Sequence, residues 1–209
     1  MELIPSEGVG CVISIAAMIP YLLVWFRLAL APCFLVGYWI GADQRLFIGL
    51  LLWGIISDVF DGVLARRWRC ATPVLRRLDS NVDTVFYGCA TMVGVLLHVA
   101  DLKAWWTAFL ILFLFLIAQN LVNGFRYGRQ PSYHMWSGKI WSATMVVALT
   151  GLFLDHPSEW ALAAVVTFGI YNSIEGMIAS LILPKPLTDI PSVFHAIKLA
   201  NADSNARRN

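Results

Sequence analysis

Four aspartates lie close together in a largely apolar chain: Asp58, Asp61, Asp79 and Asp83. The first two are three residues apart and the last two are four residues apart, so each pair would share one face of an α-helix. Carboxylates brought together at low dielectric repel one another, at a cost of roughly several kcal/mol for each close pair. Either a cation compensates for this repulsion, or some of the carboxyl groups are protonated.

Divalent metal is the simplest cation that could compensate the four aspartates. Hard oxygen ligands of this kind suit Mg²⁺ or Mn²⁺, and two such ions about 4 Å apart are the usual arrangement for displacement at phosphorus. Several arginines lie between the two aspartate pairs and could bind phosphate oxygens; they are Arg66, Arg67, Arg69, Arg76 and Arg77. For the last four, the ordinary excess of basic residues in cytoplasmic loops is an equally good explanation.

The composition places this site in a membrane protein. Hydrophobic residues make up 59% of the 209 residues and charged residues only 13%, half the fraction usual in soluble domains. The mean hydropathy is +0.70. The net charge of +2 is too small to indicate nucleic-acid binding. The four cysteines show no spacing typical of a zinc site or a disulfide framework.

Six stretches approach the length of about 20 apolar residues that a membrane-spanning helix needs. They are residues 20–40, 46–65, 82–99, 105–123, 140–154 and 160–183. The sequence therefore predicts an all-α integral membrane protein with six transmembrane helices. Residues 1–19 are expected to form an N-terminal interfacial segment, residues 20–183 the membrane domain, and residues 184–209 a cytoplasmic tail.

The distribution of lysine and arginine predicts the orientation of these helices, because such residues resist translocation. With six spans and a cytoplasmic N-terminus, the inside segments hold twelve lysines and arginines, and the outside loops hold only Arg45 and Lys103. Both termini are therefore expected in the cytoplasm. This topology puts the four aspartates at the cytoplasmic membrane face, which in a bacterium is a face of the inner membrane.

The aspartates belong to a longer pattern, Asp58-x2-Asp61-Gly62-x2-Ala65-Arg66, followed by Asp79-x3-Asp83. It resembles the signature of the CDP-alcohol phosphotransferase family, D-x2-D-G-x2-A-R-x8-G-x3-D-x3-D, at seven of its eight positions. Two further elements are similar to the phosphatidylglycerophosphate synthase branch. Pro20, Leu23 and Arg27 fit its P-N-x-L-[ST]-x-x-R element, although Tyr21 and Val24 replace the Asn and the hydroxyl residue. Gly138-Lys139 fits its G-K-x-x-T element, with Ser142 at the Thr position.

The resemblance implies roles for the matching residues. Asp58, Asp61, Asp79 and Asp83 would bind two Mg²⁺ or Mn²⁺ ions, and Asp83 would also act as the general base. Gly62, Ala65 and Arg66 would contact the nucleotide and its phosphates. The implied reaction transfers a phosphatidyl group from CDP-diacylglycerol to the hydroxyl of a small polar acceptor and releases CMP. Members of the family are usually homodimers.

Leu75 is the one departure from the signature, because the family pattern has glycine at this position. It precedes Asp79 by one helical turn, so its side chain would lie on the same face, toward the nucleotide. Glycine permits close approach there, and leucine fills that space. The substitution predicts altered nucleotide packing, in which case Leu75→Gly should preserve or raise CMP release. The alternative is a weakened or inactive family member.

The acceptor is less clearly indicated than the donor. Arg126, Arg129 and Lys139 lie at the predicted cytoplasmic ends of the fourth and fifth spans and could bind the phosphate of glycerol 3-phosphate or inositol phosphate. The synthase branch has a further arginine about two turns before Arg126, where this chain has Gln119 and Asn120. This difference weakens the assignment of glycerol 3-phosphate.

Two other classes of function compete with the transferase. A cation transporter would place its acidic residues near the centres of its spans and would use broken helices in repeated halves, whereas these aspartates lie at helix ends. A family-derived scaffold without activity is the second alternative. Glu175, inside the sixth span, would pair with Arg27 or Lys139, or would be protonated.

Overall fold

The computed structural model describes residues 15–67, 72–128, 131, 133, 135–183, 185–187 and 190–206, and within these ranges its regular secondary structure is entirely helical. Seven α-helices follow one another along the described chain, with a short 3₁₀ helix at Asp101–Trp105. They are α1 Ile15–Trp39, α2 Gln44–Arg67, α3 Pro73–Leu97, α4 Trp106–Tyr127, α5 Trp136–Phe153, α6 Glu159–Ile182 and α7 Val193–Ala206. The predicted all-α class is confirmed.

Five of these helices, α1, α2, α3, α4 and α6, are long and apolar enough to cross a membrane, as expected of an integral membrane protein. The fifth predicted span corresponds to α5, which has 18 residues and is not among the five. At 1.5 Å per residue, α5 is about 27 Å long, slightly less than the hydrocarbon core of a typical bilayer. A crossing by α5 therefore stays a prediction.

The first helix overlaps the predicted interfacial segment, and the last helix lies within the predicted C-terminal tail. Helix α1 begins at Ile15, inside the segment expected to lie along the interface, and residues 1–14 lie outside the described part of the chain. Helix α1 contains both Pro20 and Pro32, which membrane helices tolerate better than soluble ones do. The predicted C-terminal tail contains α7.

The described residues up to Val93 form one compact unit, in which α1 packs against α2. Its aromatic core joins Phe34, Phe47 and Phe86, with ring centroids 6.2 Å apart for the first pair and 5.3 Å for Phe34 and Phe86. The Phe86 ring lies against Gly54, where any Cβ would overlap it. Gly54 precedes Asp58 by one turn on α2, and Phe86 follows the last aspartate on α3. This close contact therefore brings the two acidic helix faces to the same level.

The start of α3 is fixed by its sequence. The Thr72 hydroxyl oxygen accepts the backbone N–H of Leu75 at 3.1 Å, which is the hydrogen bond of an N-cap residue. Proline, here Pro73, is favoured at the first position of a helix because it has no N–H to leave unsatisfied. The cap thus sets the register that carries Asp79 and Asp83.

Residues 94–209 form the second compact unit, in which α6 packs against α4, α5 and α7. Two glycines on α6 allow close approach. A Cβ on Gly169 would lie 2.6 Å from Leu112 of α4 and 2.7 Å from Trp141 of α5, and one on Gly176 would overlap Gln119. Small residues at such contacts are typical of packed membrane helices, because they let backbones approach.

Glu175 connects α6 to the C-terminal helix. Its Oε1 accepts the backbone N–H of Val193, the first residue of α7, at 3.0 Å. A carboxylate at a helix N-terminus satisfies an otherwise unpaired donor and interacts favourably with the helix dipole. This hydrogen bond gives the buried Glu175 a partner other than Arg27 or Lys139, the two residues expected to pair with it. Instead, Arg27 contacts the aspartates, and the Lys139 ammonium lies 4.5 Å from the centroid of the Trp136 ring.

Candidate active site

Helices α2 and α3 bring the acidic residues of the sequence pattern together. Carboxylate oxygens from Asp58, Asp61 and Asp79 all lie within 4.8 Å of one another. Asp83 joins them through a shared partner, the guanidinium of Arg27. Asp58 and Asp61 come from the C-terminal half of α2, and Asp79 and Asp83 from the first half of α3, so the site is built at one end of each helix.

Arg27 of α1 is the residue on which the site is centred. Its side chain is fully buried, and its guanidinium contacts all four carboxylates. The Nη1 atom donates to Asp58 at 3.3 Å, to Asp79 at 3.1 Å and to Asp83, and the Nη2 atom donates to Asp61 at 2.5 Å. These contacts carry one positive charge into a cluster with four carboxylates.

Ser57 holds the remaining nitrogen of this guanidinium. The Arg27 Nε donates to the Ser57 Oγ at 3.1 Å, and the Ser57 hydroxyl in turn donates to the backbone carbonyl of Gly54 at 2.8 Å. A buried arginine needs partners for its donors, because an unsatisfied buried charge is strongly destabilising. The serine and the carboxylates supply those partners, so the orientation of Arg27 is fixed by α2 and α3 together.

The four carboxylates differ in their access to solvent. The Asp61 side chain is only 6% exposed, whereas those of Asp58, Asp79 and Asp83 are 42%, 30% and 29% exposed. Asp61 therefore forms the floor of the site and the other three form its rim.

The donor set suits a divalent cation. Three carboxylates within 4.8 Å of one another could hold a metal ion, and carboxylate oxygens are the ligands that Mg²⁺ and Mn²⁺ prefer. The guanidinium at the centre contributes a single positive charge to a cluster of four carboxyl groups. The remaining negative charge also favours a cation at this position.

Leu75, where the signature has glycine, is packed into an apolar cluster beside the site. It is 5% exposed and forms a buried cluster with Val24 and Val82, against which Tyr21 also packs. The Tyr21 hydroxyl lies 3.2 Å from the Oγ1 of Thr72, the cap of α3. Tyr21, Val24 and Leu75 are the positions at which this chain departs from the aspartate signature and from the P-N-x-L-[ST]-x-x-R element, and they lie together in the structure.

The other predicted nucleotide residues are on α2. Gly62 is partly buried and directly follows Asp61. Ala65 and Arg66 are helical, and their side chains lie outside the described part of the structure.

The predicted acceptor residues belong to the second unit. Arg126 is in the last turn of α4, where its Nη2 donates to the backbone carbonyl of Leu183 at 3.3 Å, just beyond the end of α6. Lys139 is in the first turn of α5, beside Trp136. Arg129 lies outside the described residues.

A polar network around Arg126 was not predicted from the sequence. The Tyr127 hydroxyl donates to the backbone carbonyls of Ser180 and Leu183, at 2.9 and 3.0 Å. The Ser180 hydroxyl donates to Asn123 at 2.6 Å and lies 2.8 Å from the Tyr133 hydroxyl. Burial raises the pKa of the Tyr133 hydroxyl above its ordinary value. The network satisfies the carbonyl groups that the end of α6 leaves unpaired.

Arg27 and Ser57 belong to the site, although no sequence pattern predicted a role for either of them there. The sequence contained a signal for Arg27, because an ionisable residue inside an apolar span usually has a functional partner, and Arg27 is part of the P-x-x-L-x-x-x-R element. The sequence alone did not identify the carboxylates that Arg27 contacts.

Comparison with known proteins agrees with the geometry. Residues 17–171 match the family described as CDP-alcohol phosphatidyltransferase. The chain is 31% identical over 150 residues to the CDP-diacylglycerol--glycerol-3-phosphate 3-phosphatidyltransferases of Escherichia coli (strain K12), Shigella boydii serotype 4 (strain Sb227) and Shigella sonnei (strain Ss046). These matches cover 68% of this chain and 79% of each relative. No solved structure matches the chain.

The matched region contains α2, α3 and all of α1 except its first two residues, and therefore every residue of the acidic site. The resemblance seen in the aspartate pattern is thus confirmed by the family match and by the relatives. This chain belongs to the CDP-alcohol phosphatidyltransferase family, whose members are membrane enzymes of phospholipid biosynthesis.

Proposed function

We propose that this protein transfers a phosphatidyl group from CDP-diacylglycerol to the hydroxyl of a small polar acceptor and releases CMP, with glycerol 3-phosphate as the first acceptor to test. The observation that carries the proposal is the convergence of Asp58, Asp61 and Asp79 within 4.8 Å, with Asp83 held beside them by Arg27. The names of the relatives specify glycerol 3-phosphate as their acceptor, which supports this choice.

The aspartates have two roles in this proposal. Asp58, Asp61 and Asp79 would hold Mg²⁺ or Mn²⁺, in a site for two ions to which Asp83 contributes. When bound, these ions supply positive charge that neutralises the diphosphate and the departing CMP. The burial of Asp61 below the more exposed rim supports a site that is open on one side only.

Asp83 is the proposed general base. It would accept the proton of the acceptor hydroxyl while the hydroxyl oxygen attacks the phosphorus that carries diacylglycerol. A new P–O bond forms to the acceptor, the P–O bond to CMP breaks, and CMP leaves with the bridging oxygen. Partial exposure of the Asp83 side chain, 29%, leaves room for a hydroxyl to approach.

Gly62, Ala65 and Arg66 are proposed to contact the nucleotide and its phosphates, from the turn of α2 that follows the first aspartate pair. The apolar cluster containing Leu75, Val24 and Tyr21 is proposed to alter how the nucleotide packs in this chain. The three residues that differ from the family patterns here pack in one cluster, which supports a coordinated change on this side of the nucleotide site more than a single damaging substitution.

Arg126, Arg129 and Lys139 are proposed to bind the phosphate of the acceptor. A guanidinium has five N–H donors, and the bond from Arg126 to Leu183 uses one of them, so this contact is compatible with phosphate binding. Because Gln119 and Asn120 stand where the synthase branch has an arginine, inositol phosphate or another alcohol is the second candidate acceptor. We further propose a homodimer and an active site at the cytoplasmic membrane face.

The test supplies purified protein with CDP-diacylglycerol, Mg²⁺ or Mn²⁺, and one acceptor at a time, and follows CMP. The Asp83→Asn variant should lose at least about 100-fold in rate, the lower range for loss of a general base. The Asp61→Asn variant should also lose activity, because it removes a proposed metal ligand. Asp43→Asn is the matched control, because Asp43 is 73% exposed and contacts Arg45 instead of the site. Undiminished activity in Asp83→Asn would exclude Asp83 as the base.

A further inference from the structure

Arg27 and a divalent cation would use the same carboxylates. All three aspartates whose oxygens lie within 4.8 Å of one another, Asp58, Asp61 and Asp79, accept hydrogen bonds from the Arg27 guanidinium. A guanidinium is a donor without acceptor capacity and does not lose its proton in proteins. It therefore cannot act as a metal ligand, and its charge is permanent.

The position of Arg27 makes its charge hard to screen. The side chain is fully buried, whereas three of its four carboxylate partners are between 29% and 42% exposed. Buried charges interact through a lower effective dielectric than exposed ones. A cation binding at these carboxylates would consequently experience both their attraction and repulsion from the guanidinium.

We infer that Arg27 is a built-in counter-cation of the acidic site, which holds the four aspartates together and competes with divalent metal for their oxygens. Arg27 is thus a positioning residue that sets the metal affinity. The inference rests on the proposed function, because it requires that these aspartates bind divalent metal. It goes beyond that function by assigning a role to a residue of α1 that supplies no ligand atom.

Removing the charge should have two opposite effects. Without metal, the carboxylates lose the cation that offsets their mutual repulsion, so the protein should become less stable. With metal, the repulsion from the guanidinium is gone, so the ion should bind more tightly. If Arg27 had a purely structural role, loss of its side chain would disorder the site, and both the stability of the protein and its affinity for metal would decrease.

The other possible role of a buried arginine at a phosphate-transfer site is direct binding of the substrate. In that case, the charge would act on the substrate phosphate, and the affinity for metal in the absence of substrate would stay unchanged. Metal binding without substrate therefore distinguishes the three roles.

The experiment compares wild type, Arg27→Gln and Arg27→Lys, each purified in detergent with Mn²⁺ and then stripped with a chelator. Free Mn²⁺ is counted by electron paramagnetic resonance during a titration, and thermal unfolding is recorded with and without Mn²⁺. Ser57→Ala is a matched control, because it removes the hydrogen bond to the Arg27 Nε and leaves every charge in place. Asp61→Asn shows whether Mn²⁺ binds at this site.

The expected result is that Arg27→Gln binds Mn²⁺ about tenfold more tightly than wild type and unfolds at a lower temperature in chelator. Arg27→Lys and Ser57→Ala should bind Mn²⁺ within about threefold of wild type. Folding of Arg27→Gln only in the presence of Mn²⁺ would also support the inference, since the metal then replaces the missing cation.

Equal or weaker Mn²⁺ binding by Arg27→Gln would overturn the inference, and so would failure of this variant to fold even with Mn²⁺. Failure of the proposed function has a different signature. If wild type binds no Mn²⁺, or if Asp61→Asn binds it as tightly as wild type does, the aspartates are not the metal site, and both the function and the inference are lost.

Discussion

Replacement of Leu75 tests how the apolar cluster and the acidic site depend on each other. The side chain is 5% exposed and packs with Val24 and Val82. Truncating a buried leucine to alanine costs about 2–5 kcal/mol, and glycine inside a helix costs about 1 kcal/mol more. Leu75→Gly should therefore destabilise the protein by roughly 3–6 kcal/mol, although it restores the residue of the family signature.

The assay must separate stability from catalysis. Thermal unfolding in detergent should show a decrease on the order of 10 °C for Leu75→Gly, since each kcal/mol corresponds to about 2–4 °C for a protein of this size. CMP release, normalised to folded protein at a temperature below the transition, should be preserved or raised, because glycine reopens space near the nucleotide. Val74→Ala is the control, because Val74 is 70% exposed.

Two results would refute this reasoning. An unchanged unfolding temperature in Leu75→Gly would show that the leucine does not stabilise the start of α3. A large loss of CMP release per folded molecule would show that leucine is an adapted part of the substrate site. In that event, the triple change Tyr21→Asn, Val24→Ser and Leu75→Gly would show whether the three departures act as one unit.

Three other predictions concern the metal requirement, the cap of α7 and the membrane topology. Chelation of divalent metal should abolish CMP release and added Mg²⁺ or Mn²⁺ should restore it; activity that persists in chelator would contradict a metal-dependent reaction. Glu175→Ala should leave the first N–H of α7 without its acceptor, at a cost of about 1 kcal/mol, and should therefore speed proteolysis of the C-terminal segment. Glu175→Gln keeps an acceptor oxygen and should change the proteolysis rate less. Equal proteolysis of wild type, Glu175→Ala and Glu175→Gln would refute the capping role. In oriented membrane vesicles, a cysteine introduced for Lys198 should react with a membrane-impermeant reagent from the cytoplasmic side and one introduced for Lys103 from the opposite side, and labelling of both from one side would contradict the predicted topology.

Much of the fold could be predicted from the sequence because membrane helices leave a strong signal. Runs of about 20 apolar residues identified α1, α2, α3, α4 and α6, and the helical spacing of Asp58 with Asp61 and of Asp79 with Asp83 showed which faces would meet. The boundaries were less accurate. Helix α1 starts five residues earlier than the predicted span, since the residues from Ile15 onward are apolar as well and continue the same helix.

Contacts between distant residues could not be predicted in the same way. Arg27 was visible as a charge inside an apolar span, but its partners depend on how α1 packs beside α2 and α3. Glu175 was equally visible, and its partner is a backbone N–H of α7, which no side-chain pattern indicates. The contact of Gly54 with the Phe86 ring likewise depends on helix packing and not on local sequence.

The most direct test of the account measures both products of one reaction. Purified protein is incubated with CDP-diacylglycerol, Mg²⁺ and glycerol 3-phosphate, inositol phosphate or another alcohol, and CMP and the lipid product are quantified by mass spectrometry. With one of these acceptors, we expect CMP and a new phosphatidyl lipid to form in equal amounts, and neither to form in Asp61→Asn. CMP without a matching lipid product, or no CMP with any acceptor beside an active control enzyme, would contradict the proposed transfer reaction.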